Sequence, residues 1–453
     1  MTCPPVCQVC GLSRPGDTGV KMLNKLFDLD ARGTNARTEI IAGITTFLAM
    51  SYIIFVNPDI LANAGMDRGA VFVATCLSAA IGSAIMGLYA NYPIAIAPGM
   101  GLNAYFTYGV VIGMGLTWQV ALAAVFMSGI IFVALSLLPI REWIINAIPM
   151  ELKMAISAGI GLFLIIIGLS GVRIIVSHPA TIVSLGDLGQ TPALLATMCF
   201  FLIGILEARK VPGGILISIL VTTIAGVLIG AAPPPGLVSL PPSIEPTLFA
   251  LDWSQALEVG IAVVVISFLF VDMFDTAGTL VSVAHRAGLL DEKGHVINLR
   301  KALIADSTAT VSGAALGTSS ATSYIESIAG VKAGGRTGLT AVTVAGLFCL
   351  ALFFAPLASA VQPYATMPAL VYVGCLMTGG LTHVNWSEPT SFMPAVITAV
   401  AMPLTYSIAN GIGLGIIVYV VLKSGAGRWK DISPGALVLA AAFLAKFIFL
   451  DSV

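Results

Sequence analysis

Long apolar runs recur along the whole chain, and they constrain its fold more than any other feature. Runs such as "EIIAGITTFLAMSYIIFV" and "VALAAVFMSGIIFVALSLL" approach the roughly 20 apolar residues that an α-helix needs to cross a bilayer. Of the 453 residues, 58% are hydrophobic and 9% are charged, whereas soluble domains carry about 25% charged residues. The sequence therefore predicts an all-α polytopic membrane protein, and it excludes a large soluble catalytic domain and a nucleic-acid partner.

We predict about fourteen spans from these runs and from the polar segments between them. They lie near 39–58, 69–90, 94–113, 117–138, 153–175, 191–208, 212–231, 256–282, 300–317, 320–335, 337–355, 363–381, 392–409 and 411–423. The segment "REWIINAIPMELK" between spans 4 and 5 is amphipathic and typical of a membrane interface. The tail over 434–450 fits an interfacial helix or a last span, and we favour the interfacial helix.

The distribution of basic residues orients these spans. Alternating the spans from a cytoplasmic N-terminus places 18 of the 21 Lys and Arg residues inside, with Arg68 and Arg173 outside and Lys446 in the C-terminal tail. This asymmetry follows the positive-inside rule. We therefore predict a multi-pass protein of the plasma (inner) membrane with both termini in the cytoplasm.

The N-terminal tail contains three cysteines, Cys3, Cys7 and Cys10, among Pro and Gly residues. A structural zinc site needs four ligands at suitable spacing. Because no fourth ligand follows, the pattern favours a disordered tail over a metal site.

The two halves of the chain resemble each other weakly. The stretch "TFLAMSYIIFVNPDILANAGM" is similar to "SFLFVDMFDTAGTLVSVAHRAGL", and seven predicted spans separate the two copies. Because seven is odd, the second copy enters the membrane from the opposite side, which is the inverted-topology repeat of many secondary transporters. The same alignment places Asn103 opposite Glu326.

Spans 3 and 10, at matching positions of these repeats, contain residues that interrupt a helix. Span 3 contains "APGMGLN", in which Pro98, Gly99 and Gly101 precede Asn103, and span 10 contains "GTSSATSYIES". Irregular backbone at membrane depth is tolerated where protein buries it or where it lines a cavity. Paired interruptions therefore predict a binding site near the membrane midplane, although close helix packing also favours small residues such as those of "GMG".

Three acidic residues fall at membrane depth, and no Lys or Arg falls at comparable depth. Asp272 and Asp275 lie in span 8 beside Thr276, and Glu326 lies in span 10. Each carboxylate costs about 2.5–3.5 kcal/mol on insertion scales, so we expect at least one of them to be protonated. A structural role for Asp275 stays open, and Asp306 is expected nearer the cytoplasmic end in a structural role. An acid-lined site without a cation suits a neutral ligand with N–H donors, or a cation, better than an anion.

At "APGMGLNAYF", "FVDMFDTAGTL" and "GTSSATSYIESIAGVKAGGRTGLTA" the chain resembles the AzgA-like purine permeases of the nucleobase:cation symporter-2 family, from about Leu26 to about Lys430. The resemblance implies the fold of the uracil permease UraA, with two inverted repeats of seven spans. It further implies a homodimer through a gate domain. The implied domains are a core over 39–138 (spans 1–4) and 256–355 (spans 8–11), a gate over 139–255 (spans 5–7) and 356–424 (spans 12–14), an N-terminal tail over 1–38 and a C-terminal segment over 425–453.

For function, the resemblance implies proton-coupled uptake of adenine, guanine or hypoxanthine. Asp272 and Glu326 match the acids that hold the base in this family, Asp275 matches its second aspartate, and Asn103 matches its span 3 asparagine. Thr276 stands where uracil permeases carry a histidine. The carboxyl groups themselves are therefore expected to carry the proton.

The expected mechanism is alternating access, in which the core moves against the gate around a site between spans 3, 8 and 10. There, N–H groups around Thr318, Ser319 and Ser323 are expected to meet acceptors of the bound ring. We expect no cofactor and no metal, only a co-transported proton. The sequence leaves open the preferred purine and the choice between proton and sodium. The alternatives are a same-fold transporter of another small neutral or anionic solute, an intramembrane enzyme that uses "DMFD" as a metal-binding pair, and a channel.

Overall fold

The computed structural model describes residues 17–137, 149–234, 236, 238–254, 259–289 and 296–449. The three N-terminal cysteines and most of the segment "REWIINAIPMELK" lie outside these residues. Helices make up most of the described chain.

The first half of the chain alternates long helices with short strands. In order, its elements are α1 (Asp17–Phe27), α2 (Ala36–Met50), α3 (Ile53–Ala62), α4 (Arg68–Ile85), β1 (Ile96–Pro98), α5 (Met100–Ala104), α6 (Trp118–Leu137), α7 (Met150–Gly171), β2 (Ile175–His178), β3 (Ile182–Leu185), α8 (Thr191–Ala208) and α9 (Gly214–Leu228). Segments of π-helix extend α4 over Met86–Ala90 and α5 over Tyr105–Ile112.

The second half contains one strand among its helices. In order, its elements are α10 (Val259–Ala287), α11 (Leu299–Leu316), β4 (Ala321–Ser323), α12 (Ser327–Lys332), α13 (Gly338–Ala351), α14 (Ala355–Ala360), α15 (Pro363–Thr378), α16 (Pro389–Leu404), α17 (Ile408–Gly425) and α18 (Pro434–Phe449). Short 3₁₀ turns lie at Leu352–Phe354, Gly379–His383 and Trp429–Asp431.

Side-chain caps fix where some of these helices begin. The Asn35 side chain accepts a hydrogen bond from the Thr38 backbone N–H at the start of α2 (3.0 Å), and Asp67 accepts one from Ala70 at the start of α4 (2.7 Å). The first N–H groups of a helix have no partner within it, so such caps stabilise the helix end.

Nine helices among the described residues are long and apolar enough to cross a membrane. Three of the predicted spans correspond instead to shorter apolar helices, Met100–Ile112, Gly214–Leu228 and Pro389–Leu404. The multi-pass membrane protein is therefore confirmed, whereas the total of fourteen spans stays a prediction. Over the predicted interfacial tail, α18 forms a helix that packs against α17.

The first predicted span, 39–58, lies within the apolar stretch Ala36–Ala62, which is long enough to cross a membrane. A short 3₁₀ turn joins α2 to α3 within this stretch, where the Ile54 N–H donates to the Ser51 carbonyl (3.1 Å) in a three-residue step. Beyond this turn α3 continues past Pro58. Asp59 therefore lies within this buried helix.

Two small antiparallel sheets interrupt the predicted all-α fold. Strands β2 and β3 form a hairpin, whereas β1 and β4 come from the two halves of the chain, with Ile96 opposite Ser323 and Pro98 opposite Ala321. The Pro98 carbonyl also accepts a hydrogen bond from the Tyr324 hydroxyl (2.5 Å). Proline cannot continue a helix ladder, and each extended segment satisfies the other's backbone groups.

The remaining helices pack in two groups around this β1–β4 pair. In the first group, α2, α4, α6, α10, α11 and α13 pack on one another, and α4, α10 and α11 contact the strand pair. In the second group, α7, α8, α15, α16 and α17 pack mainly on one another. Small residues set the spacing: a Cβ on Gly161 of α7 would lie 2.5 Å from the carbonyl oxygen of Gly374 on α15, and the reverse also holds. Backbones approach closely at such contacts. The boundaries of core and gate stay a prediction.

Candidate functional site

Two glycines lie where β1 leads into α5, at the centre of the bundle. The Gly99 N–H donates to the Ser320 carbonyl (2.8 Å) and so joins the two crossing segments beside the strand pair. A Cβ on Gly99 would lie 2.7 Å from Thr322 Cγ2, and a Cβ on Gly101 would lie 2.5 Å from Ile160 Cγ2 on α7. A side chain at either position would therefore displace its neighbour.

Asp272 lies next to this crossing and is 1% exposed. Its Oδ2 accepts a hydrogen bond from the Ser320 hydroxyl (2.7 Å) and lies 3.0 Å from the Thr310 hydroxyl. The Thr310 hydroxyl also lies 2.8 Å from the Ala321 carbonyl. Because a hydroxyl has a single proton, Thr310 can donate to Asp272 or to Ala321 but not to both at once. Asp272 Oδ1 has no hydrogen-bond partner among the described residues.

Asp306 is the second buried acid of the site, and the sequence interpretation missed it. Its Oδ2 accepts a hydrogen bond from Thr276 (2.6 Å) and its Oδ1 accepts one from Ser323 (2.8 Å). Thr276 also shares a hydrogen bond of 2.9 Å with Thr322. The predicted site residues Thr276 and Ser323 thus meet on Asp306 and not on Asp272. The available signal was the spacing of Asp306 and Thr310, four residues apart and so on one face of α11.

Asn103 is fully buried on α5 and contacts the segment before β4. Its Oδ1 accepts a hydrogen bond from the Ser319 hydroxyl, while its Nδ2 has no partner among the described residues. Beside it, the Thr318 hydroxyl accepts a hydrogen bond from Asn57 Nδ2 (2.8 Å). Asn57 is a buried amide on α3 that also donates a hydrogen bond to Thr75 (2.7 Å). The sequence analysis did not name it as a site residue, although a polar side chain within an apolar run could have indicated one.

Asp275 and Glu326 are only partly buried. Glu326 Oε1 accepts a hydrogen bond from the Tyr52 hydroxyl (2.5 Å). Asp275 lies three residues after Asp272 on α10, about one helical turn away. Asp306 contacts the same helix through Thr276 (2.6 Å) and the segment just before Glu326 through Ser323 (2.8 Å). We call these four carboxyl groups the acid cluster.

No nearby cation neutralises the acid cluster in the part of the chain that the structure describes. Each salt bridge in that part joins other carboxylates, those of Asp59, Glu388 and Asp431. Like charges in a low-dielectric interior repel strongly. The cluster is therefore suited to bind protons or N–H donors and unsuited to bind an anion.

Buried acids at the crossing of two non-helical segments, within a bundle of apolar helices, are typical of solute transporters. The model of the Permease family matches residues 37–414, and the chain belongs to this family. Two relatives, described next, confirm the predicted membership of the AzgA-like purine permeases and the prediction that the chain is a transporter and not an enzyme.

Two curated relatives cover nearly the whole chain. The adenine permease AdeP of Escherichia coli is 49% identical over 96% of this chain and 98% of its own length. The guanine/hypoxanthine permease PbuG of Bacillus subtilis is 47% identical over 94% of this chain and 100% of its own length.

A solved structure supports the fold. The transmembrane domain of a cyanobacterial bicarbonate transporter, BicA, superposes with a TM-score of 0.60 at 16% sequence identity, over 85% of this chain and 97% of that domain. The predicted membrane fold of the uracil permease type is confirmed on this basis, whereas its division into two inverted repeats of seven spans stays a prediction.

Proposed function

We propose that this permease carries a purine nucleobase together with a proton by alternating access. The relatives named above are permeases for adenine and for guanine and hypoxanthine. The observation that carries the proposal is the acid cluster, which offers carboxyl groups to a neutral ring and has no described salt bridge to a cation. The preferred purine stays open, because exchanging one ring donor for an acceptor needs only local changes in a pocket.

Two unpartnered atoms near the β1–β4 crossing support a planar ligand with both a donor and an acceptor. Asp272 Oδ1 and Asn103 Nδ2 are buried without partners among the described residues. The other oxygen of Asp272 accepts a hydrogen bond from the Ser320 hydroxyl, and the Asn103 oxygen accepts one from the Ser319 hydroxyl. A buried polar atom without a partner costs about 1–3 kcal/mol. A purine recovers this cost, because its N–H donates to Asp272 and a ring nitrogen accepts from Asn103.

The arrangement of donors supports proton coupling through the carboxyl groups. Ionised Asp272 has one dedicated donor, Ser320, whereas Asp306 receives hydrogen bonds from both Thr276 and Ser323. A proton on Asp272 relieves the repulsion between the two acids. In the proposed cycle, Asp272 carries the proton while it holds the base, and Glu326 and Asp275 exchange protons from their more exposed positions.

Contacts between the two helix groups support a relative movement of core and gate. On one side of the site, Gly101 of α5 touches Ile160 of α7, and further out the Thr366 hydroxyl on α15 donates to Asp59 on α3 (2.8 Å). At this end Arg68 of α4 also donates to the carbonyl groups of Ser359 and Val361 (3.2 and 2.6 Å). Breaking them would open the site to that face of the membrane.

Uptake of labelled purines tests the proposal. Asp272→Asn keeps the shape of the side chain but removes the exchangeable acid, so we expect loss of [³H]adenine and [³H]hypoxanthine accumulation at unchanged protein level. Asp187→Asn, on an exposed loop, is the matched control and should accumulate both normally. A protonophore should abolish accumulation by the wild-type protein, whereas replacement of sodium should not. Normal uptake by Asp272→Asn would contradict the proposal.

A further inference from the structure

A cavity of about 400 Å³ lies among α7, α8, α15 and the β2–β3 hairpin, and no residue of the acid cluster lines it. Its wall contains Leu169 and Val172 near the end of α7, Ala196 and Phe200 on α8, and Val371 on α15. All three helices contribute windows apolar enough to cross a membrane. The cavity is therefore at membrane level, on the side where the hairpin lies, which we call the hairpin side.

The cavity offers almost no hydrogen-bonding group to a ligand. Thr197 is the one lining residue with a side-chain hydroxyl, and that hydroxyl already donates to the Ala193 carbonyl (2.8 Å). Water needs two to four polar partners to occupy a cavity. A nucleobase would leave its ring donors and acceptors without partners there, so the occupant must be apolar.

The mouth of the cavity is open and apolar. Leu185 of the hairpin is 68% exposed and Leu188 beyond it is 43% exposed, and both line the cavity. On α8, Met198 next to the lining residues is 64% exposed. Exposed apolar side chains around a membrane-level opening face lipid tails, which are the abundant apolar molecules there.

A basic residue marks the rim on the hairpin side. Arg173 lies between the end of α7 and β2. Its backbone packs closely against Gly186, just after β3, because a Cβ on Gly186 would lie 2.1 Å from the Arg173 carbonyl oxygen. The Arg173 side chain is exposed, and no described carboxylate pairs with it. A guanidinium group binds phosphate through paired N–H donors.

We propose that this cavity binds one acyl chain of a phospholipid whose phosphate lies at Arg173. The chain enters between the hairpin and α8 and fills the space beside Phe200. The bound lipid thereby fixes the hairpin against helices of the predicted gate, separately from the acid cluster.

Photolabelling in vesicles tests this proposal. The protein is reconstituted in phosphatidylethanolamine and phosphatidylglycerol with a phosphatidylglycerol that carries a diazirine midway along one acyl chain, and labelled peptides are mapped by mass spectrometry. We expect label concentrated on peptides over 168–174 and 196–200, above the level on the lipid-facing side of α17. Label spread evenly over all lipid-facing helices would overturn the proposal.

Two variants sharpen the test. Ala196→Phe fills the cavity, and displacing only two methylenes reduces occupancy roughly tenfold, whereas Met198→Phe, on the exposed face of the same helix, should leave the labelling unchanged. Val371→Phe fills the cavity from the opposite wall and should reproduce the loss. Arg173→Gln should reduce labelling by phosphatidylglycerol but not by a diacylglycerol with the same chains. Unchanged labelling of both cavity-filling variants would contradict the assignment.

Discussion

Substitution of Gly99 by alanine is the sharpest perturbation that the structure offers at the β1–β4 crossing. The new Cβ would lie 2.7 Å from Thr322 Cγ2, so the two carbons must separate by at least 0.7 Å to reach an ordinary contact of 3.4 Å. The backbone at Gly99 has φ −76° and ψ 123°, which alanine adopts without strain. The effect of the substitution is therefore steric.

The size of the effect follows from overpacking. Extra atoms in a well-packed interior cost about 1–3 kcal/mol. The Gly99 N–H donates to the Ser320 carbonyl, and the Ser320 hydroxyl donates to the Asp272 carboxylate. A shift of the backbone at Gly99 therefore also moves the hydrogen-bond donor of Asp272. If the whole cost falls on the transport-competent conformation, purine uptake decreases by roughly 5- to 150-fold.

The double variant Gly99→Ala with Thr322→Ser isolates this clash. Serine removes Cγ2 but keeps the hydroxyl that bonds to Thr276, so uptake and melting temperature should both recover. Gly346→Ala, whose Cβ meets no atom within 4 Å, is the control for a glycine-to-alanine change within a helix. The reasoning is refuted if Thr322→Ser fails to restore the activity of Gly99→Ala, or if Gly99→Ala alone behaves as the wild-type protein.

Two further predictions concern stability, measured as the melting temperature of the detergent-solubilised protein. Thr366→Val removes the hydrogen bond to the Asp59 carboxylate and should destabilise by about 1.5–3 kcal/mol, whereas Thr366→Ser keeps the hydroxyl and should not; equal melting of the two variants would contradict this. Glu39→Gln weakens hydrogen bonds from the backbone N–H groups of Arg336 (2.8 Å) and Thr337 (3.2 Å) at the start of α13, where a negative charge is favourable, and should cost about 1–2 kcal/mol. An unchanged melting temperature for Glu39→Gln would show that the charge is not needed there.

The sequence predicted what depends on composition and local patterning. Apolar runs identify membrane helices because lipid accepts no unsatisfied backbone. Acids at membrane depth are costly, which is why Asp272 and Glu326 stood out as candidate site residues. Their roles in binding stay a proposal.

What the sequence did not predict depends on contacts between distant segments. The pairing of Ile96 with Ser323 joins residues from the two halves, and no local pattern in three residues specifies a partner. The sequence analysis gave Asp306 a structural role because it lies near the cytoplasmic end of its span. Its place in the site depends instead on the face of α11 that meets Thr276 on α10. The first span runs through a short 3₁₀ turn at Ser51 and on to Ala62, a local change of helix type that hydropathy does not register.

The β1–β4 pair has a consequence for biosynthesis. A ribosome delivers the first half of the chain to the membrane while the partner strand is still untranslated, so the backbone of 96–98 has no sheet partner during that interval. Unsatisfied backbone in hydrocarbon costs several kcal/mol per group. The nascent first half must therefore stay near water, lipid headgroups or the insertion machinery until the second half arrives, and its final burial coincides with completion of the polypeptide.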